Sequence, residues 1–239
     1  MTARSATTLP DPARPDAAVQ MFSTWRTGTP ERRRAAVDAI AATWEKRSWP
    51  TPDLLSYNVY AATDDEDTLL HYSQWTSEAA YRAFVGTHRE DRNAEIDAAV
   101  PGIERVGINS YEPYRRSELA GATGVPGCVV IVDVDVEFEG PDPQRLRDWV
   151  DGVFEALGSD APQPGGISVN FFLAKGGARV LNYAEWTDEQ AHIDAVGSPG
   201  TGVGSLTEEW RRVRQFPGVK ESGFNRYRLA WSASAPATA

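Results

Sequence analysis

Residues 69–81 read LLHYSQWTSEAAY, and residues 180–192 read VLNYAEWTDEQAH. The two strings share a Trp-Thr and decide the reading, because the likeness extends in both directions. Gly28 matches Gly140 and Ser56–Asn58 (SYN) matches Ser168–Asn170 (SVN), each 112 positions apart; Trp75 and Trp186 lie 111 apart. PGIERVGINSY from Pro101 matches PGVKESGFNRY from Pro217, now 116 apart. The added positions fall near GSPGTGVG (197–204), which reads as a loop or lid. A repeat of about a hundred residues is a domain duplication, not a short-period solenoid.

Each copy carries the same order of elements. VVIVDVDVEFEG is β-branched and alternating from Ile131 to Phe138, so it reads as a strand. Leu146, Trp149, Val150, Val153, Phe154 and Leu157 then recur at helical spacing up to Gly158. The first copy has Thr29 as N-cap, Pro30 at the first helical position, and Val37, Ile40, Ala41 and Trp44 as its stripe. A second strand follows (LLSYNVY, GISVNFFLA), then a turn (TDDED, KGG), then a third strand carrying the repeated string. A Thr-Ser-Glu or Thr-Asp-Glu cap opens more helix, and a last strand follows Pro-Gly.

The order β-α-β-β-α-β predicts an α+β protein of two tandem ferredoxin-like domains. A sheet covered on one face needs a partner for the other, so the two sheets are expected to pack as an intrachain pseudo-dimer. The boundaries read as a mobile arm (1–16), domains 17–117 and 128–231, a linker (118–127) and a mobile tail (232–239).

Side chains alternate along a strand. His71 and Trp75 therefore share a face with Leu69 and Ser73, and Asn182 and Trp186 share a face with Val180 and Ala184. Tyr81 and His192 follow six residues after each Trp, near a helix start, where they can lean over that face. Ser56 with Asn58, and Ser168 with Asn170, share one face of the neighbouring strand and are the candidate substrate-binding residues. Trp75, Trp186 and His71 read equally well as core residues whose polar atoms are satisfied.

The strings NYAEWTDEQA and HYSQWTSEAAY, with Pro-Gly before the last strand, resemble the antibiotic biosynthesis monooxygenase family. The resemblance covers about residues 17–115 and 128–231. It implies the dimeric α/β-barrel type of ferredoxin-like fold, and oxidation of an anthrone-type aromatic polyketide to a quinone by O2, with no metal or organic cofactor. It maps the family's Asn and Trp onto Asn182 and Trp186, and onto His71 and Trp75. The family's Tyr maps onto Tyr81, with His192 in its place in the second copy. The catalytic candidates are thus His71, Trp75, Tyr81, Asn182, Trp186 and His192. The Arg of some members falls on Ala94 and Trp210, with Arg92 and Arg211 close by but shifted. His71, with an ordinary pKa near 6.5, is the candidate base. A ring-opening oxygenase using reduced flavin as a transient partner, and a polyketide-binding protein without catalysis, are the alternatives. Haem degradation expects a His where Val85 and Val196 stand.

Composition bounds the rest. The net charge of −10 disfavours nucleic acid and anionic membranes as partners. A lone Cys128 excludes an internal disulfide and a Cys-based zinc cluster, and His71, His88 and His192 lack metal-ligand spacing. No apolar run is long enough to span a bilayer or to act as a secretory signal, so a cytoplasmic enzyme is expected. A homodimer could form on top of the internal pair. Eight Trp and eight Tyr suit either an aromatic core or a pocket for a flat ligand.

Overall fold

In the computed structural model, residues 4–6, 9–119, 121–122, 124–137, 140, 142–161, 163–198, 204–220 and 223–236 are described. The first repeat runs β2 (Val19–Arg26), α1 (Pro30–Glu45), β3 (Leu54–Ala62), β4 (Thr68–Trp75), α2 (Glu78–Phe84), a π-helical turn (Val85–Arg89), α3 (Glu90–Ala99) and β5 (Glu104–Glu118). The second runs β6 (Cys128–Asp135), α4 (Pro143–Ser159), β7 (Gly166–Ala174), β8 (Arg179–Trp186), α5 (Glu189–Gly197), α6 (Glu208–Arg214) and β9 (Gly223–Ser234). The α+β character and the βαββαβ order match the expectation. Phe138 and residues 199–203 of the 197–204 stretch lie outside the described residues.

Local chemistry explains the boundaries. Thr29 caps α1 by accepting from Arg32 N at 3.2 Å, with Pro30 behind it. Asp142 does the same for α4, and Ser77 and Asp188 for α2 and α5. Gly102 and Gly218, the second residues of the two Pro-Gly pairs, sit at φ 82° and 89°, a left-handed conformation that glycine adopts without Cβ strain. A guanidinium from the first turn of the first helix in each repeat, Arg32 or Arg145, bonds the carbonyl of the matching proline, Pro101 or Pro217.

The chain forms two compact units, Met1–Ser110 with Tyr227–Ala239, and Tyr111–Arg226. Their limits fall inside β5 and β9, whereas the repeat boundaries in the sequence fall at 118–127 and 231. At 15 and 12 residues these strands exceed the usual length of about 3–10. In unit 1 the strand order is β1 (Arg4–Ala6), β9, β3, β4, β2, β5, and in unit 2 it is β5, β7, β8, β6, β9. Arg4–Ala6, in the stretch expected to be a mobile arm, forms β1 and pairs with Ser232–Ser234, in the stretch expected to be a mobile tail.

Each unit has its own apolar core. In unit 1, Ala36, Ile40 and Trp44 of α1 pack with Val19, Met21, Val59 and Leu69 of the sheet. In unit 2, Leu146, Trp149, Val150 and Val153 of α4 pack with Val130, Val169, Phe171 and Val180. Burying one such side chain contributes roughly 1.5–3 kcal/mol, which sets the helices on the sheet without special contacts. Among the described residues, no helix is long and apolar enough to cross a membrane.

Candidate active site

A cavity of ≈ 230 Å³ lies in unit 1, on the face of the sheet that the helices cover. Trp25, Trp44, Tyr57, Trp75, Tyr81 and Phe84 give it aromatic walls, and its polar lining includes His71, Ser73, Arg89, Arg92, Asn93 and Arg105. His71, Trp75 and Tyr81 are thus brought together.

His71 is 4% exposed, and its ring lies against Trp25 with centroids 4.0 Å apart. Its Nδ1 is 2.6 Å from the Tyr57 hydroxyl, and its Nε2 has no partner. Burial, with Arg105 as the lesser cause, lowers its pKa to about 3. Burial also raises the Tyr57 pKa, so the phenol keeps its proton. In the tautomer in which Tyr57 O–H donates to Nδ1, the imidazole proton sits on Nε2. The expectation of a base with a pKa near 6.5 is corrected: a charged imidazolium loses its hydration here, and His71 stands as a neutral ring offering one N–H.

The Trp75 indole N–H donates to Ser73 Oγ at 2.9 Å, and its ring meets Tyr81 edge-on at 5.5 Å. Arg89 reaches the Tyr81 hydroxyl at 3.4 Å. Ala94, the position the resemblance gave to Arg, is exposed, while Arg92 is buried and lines the cavity. Arg92 and Ala94 lie two residues apart on α3, about 200° round the helix, so only one of them can face the cavity. The Arg92 guanidinium lies 4.8 Å from the Trp44 ring centroid and 5.9 Å from that of Phe84.

Unit 2 has a cavity of ≈ 330 Å³ lined by Asn182, Trp186 and His192 among apolar side chains. Ala184 stands where Ser73 does, so Trp186 Nε1 finds no acceptor; Asn182 Oδ1 has no partner either. His192 meets Trp186 edge-on at 5.0 Å, and its Nδ1 accepts from Arg226 Nε at 2.9 Å. The charged liners are Glu118 and Asp160, and no Lys or Arg lines this cavity among the described residues. Arg211 is exposed and bonded to Glu208 and Gln215.

Ser56, Asn58, Ser168 and Asn170 line neither of these two cavities; Ser56 and Asn58 line a separate pocket with Asp11 and Gln74. Asn58 Nδ2 donates to Ser56 Oγ at 3.0 Å and to Tyr72 O at 3.1 Å, and Ser56 donates to Gln74 Oε1 at 2.7 Å. Asn170, Ser168, Tyr183 and Glu185 repeat the set at 2.9, 3.1 and 2.7 Å. A bulge between Leu54 and Ser56, and one between Gly166 and Ser168, turns these pairs to the opposite face. Tyr57, not its neighbours, therefore faces His71. Among the described residues, no three His, Cys, Asp or Glu side chains gather as a metal ligand set.

Residues 26–91 match the antibiotic biosynthesis monooxygenase family. The monooxygenase match runs from the end of β2 into α3, within unit 1, and includes His71, Trp75 and Tyr81. The resemblance read from the repeated strings is thereby shown. A solved anthrone oxidase-like protein superposes with a TM-score of 0.66 at 17% identity, covering 92% of this chain and 94% of its own. A candidate monooxygenase from Lactobacillus acidophilus NCFM gives 0.56 at 10% identity, covering 91% and 96%. At such identities the likeness is one of fold. No curated protein sequence matches the chain.

The residues that sequence reasoning missed are Trp25, Tyr57, Arg92 and Arg105. A usable signal existed in the failures of the repeat. With the same offsets, Trp25 falls on Glu137, Tyr57 on Val169 and Arg92 on Glu208.

Proposed function

We propose that this protein is an oxygenase of antibiotic biosynthesis that oxidises a phenol- or anthrone-type polycyclic aromatic polyketide with O2, and that the unit 1 cavity carries the reaction. The observation behind this is an aromatic-walled cavity holding one buried, unpartnered imidazole nitrogen and three guanidinium groups. Triplet O2 reacts slowly with closed-shell molecules, but an electron-rich anion can pass it one electron. Cationic groups and an N–H donor lower the pKa of a bound phenol or enol and hold the oxyanion that forms. Aromatic walls position a flat ring system and exclude water. For an anthrone the balance is one CH2 and one O2 giving one ring carbonyl and one water. O2 is the co-substrate and no resident cofactor is invoked. In this reading the two repeats serve as an internal pair, the counterpart of the family's dimer.

The test is oxygen uptake by the pure protein with an anthrone in air, with chelator, and with and without reduced flavin. Chelator-resistant uptake with quinone formation is the expected result. Uptake only with reduced flavin would replace this reading by ring opening, and ligand binding without uptake would replace it by sequestration.

A further inference from the structure

We infer that the unit 1 cavity takes an aromatic acid, holding its carboxylate on Arg92; this rests on the same site as the oxygenase reading and names its substrate class. The chain carries 34 acidic residues against 24 Lys and Arg, yet this cavity is lined by three Arg and, among the described residues, by no carboxylate. Arg92 is 5% exposed, and its Nε has no partner. Its other nitrogens reach only backbone carbonyls, His88 O at 3.3 Å and Ser48 O at 3.4 Å, both long for a charged donor. The nearby acids are engaged elsewhere or exposed. Glu95 is held by Lys46 and Arg47, Asp97 by Arg105, and Asp91 faces solvent.

A buried cation without a bonded counter-ion is costly, and burial lowers the Arg92 pKa accordingly. An incoming anion removes that cost. The guanidinium lies over the Trp44 and Phe84 rings, and its planar fork matches a carboxylate in two parallel bonds. His71 Nε2 is a second, separate polar atom, left for the ring oxygen. The unit 2 cavity has the reverse character, with Glu118 and Asp160 in place of guanidinium groups, and offers an aromatic acid no such partner.

Calorimetric titration of the full chain with anthraquinone-2-carboxylate and with its carboxamide tests this. The carboxylate should bind at least about tenfold more tightly than the amide, since only the charged group gains bonds of that strength. Arg92→Gln should bring the two within about threefold, and Arg92→Lys, a point charge without the fork, should keep part of the preference. Should the Gln variant not fold by circular dichroism, the Lys variant decides, because its preference must fall. Equal affinities in the parent protein, absence of binding, or a preference left undiminished by substitution of Arg92 would each overturn the inference. Oxygen uptake separates the two readings. Carboxylate preference without uptake removes the oxygenase and leaves the anion site, and uptake without preference does the reverse.

Discussion

The two cavities are built on the same repeat and carry opposite chemistry. Both have a Trp at the end of the third strand and a hydrogen-bonding side chain four residues before it. In unit 1 the Trp75 N–H is consumed by Ser73 and the vacant polar atoms are His71 Nε2 and Arg92 Nε. In unit 2 Trp186 N–H and Asn182 Oδ1 are both vacant, Ala184 having replaced the serine. One cavity is lined by guanidinium groups and the other by carboxylates. The scaffold is conserved between halves while the site is not, so the lesson is that repetition marks the fold and divergence marks the chemistry.

The largest expected effect is on stability against pH. His71 has a folded pKa near 3 against an unfolded value near 6.5, so between these values the unfolded chain binds more protons. Stability must then fall as pH falls from 6.5 towards 3, by up to about 1.4 kcal/mol per pH unit from this one group. His71→Asn puts the unit 2 residue in its place and should flatten that slope. Urea unfolding at pH 4, 5, 6 and 7 reads it, and an unchanged slope would show that His71 is not held neutral.

Next is the shared scaffold. Asn58→Ala and Asn170→Ala each take a donor from a buried Ser hydroxyl and from a strand carbonyl, and each should cost about 1–3 kcal/mol. The comparison predicts similar costs in the two units. A large loss in one and none in the other would break the claim of a common frame.

Smaller still is the difference between the two Trp residues. Trp75→Phe removes a donor and leaves Ser73 Oγ without it, whereas Trp186→Phe removes an N–H that had no acceptor. Unfolding free energies should show Trp75→Phe as the more destabilising by about 1 kcal/mol. Equal costs would mean that the Trp186 N–H has a partner after all.

Much of this was legible beforehand, for physical reasons. Thr29, Asp188 and the Pro-Gly pairs are local signals whose effect depends on one turn of chain, and they place the elements correctly. The faces of β4 and β8 followed from alternation alone. The face of β3 did not, because a one-residue bulge after Leu54 inverts it and leaves no mark in the pattern. Arg92 was passed over because a count of seven from Pro-Gly ends on Ala94, which two residues of helix turn away from the face that Arg92 occupies. Trp25 and Arg105 reach the cavity from strands distant in sequence, which no local pattern joins.

The central claim is that unit 1 is the reacting half. Oxygen uptake with an anthrone, measured for His71→Ala and for Asn182→Ala beside the parent protein, tests it most directly. Losing an oxyanion donor should lower kcat at least about tenfold in the His71 variant, while the Asn182 variant stays within about threefold. An Asn182 variant that loses turnover while the His71 variant keeps it would place the reaction in unit 2 and contradict the account.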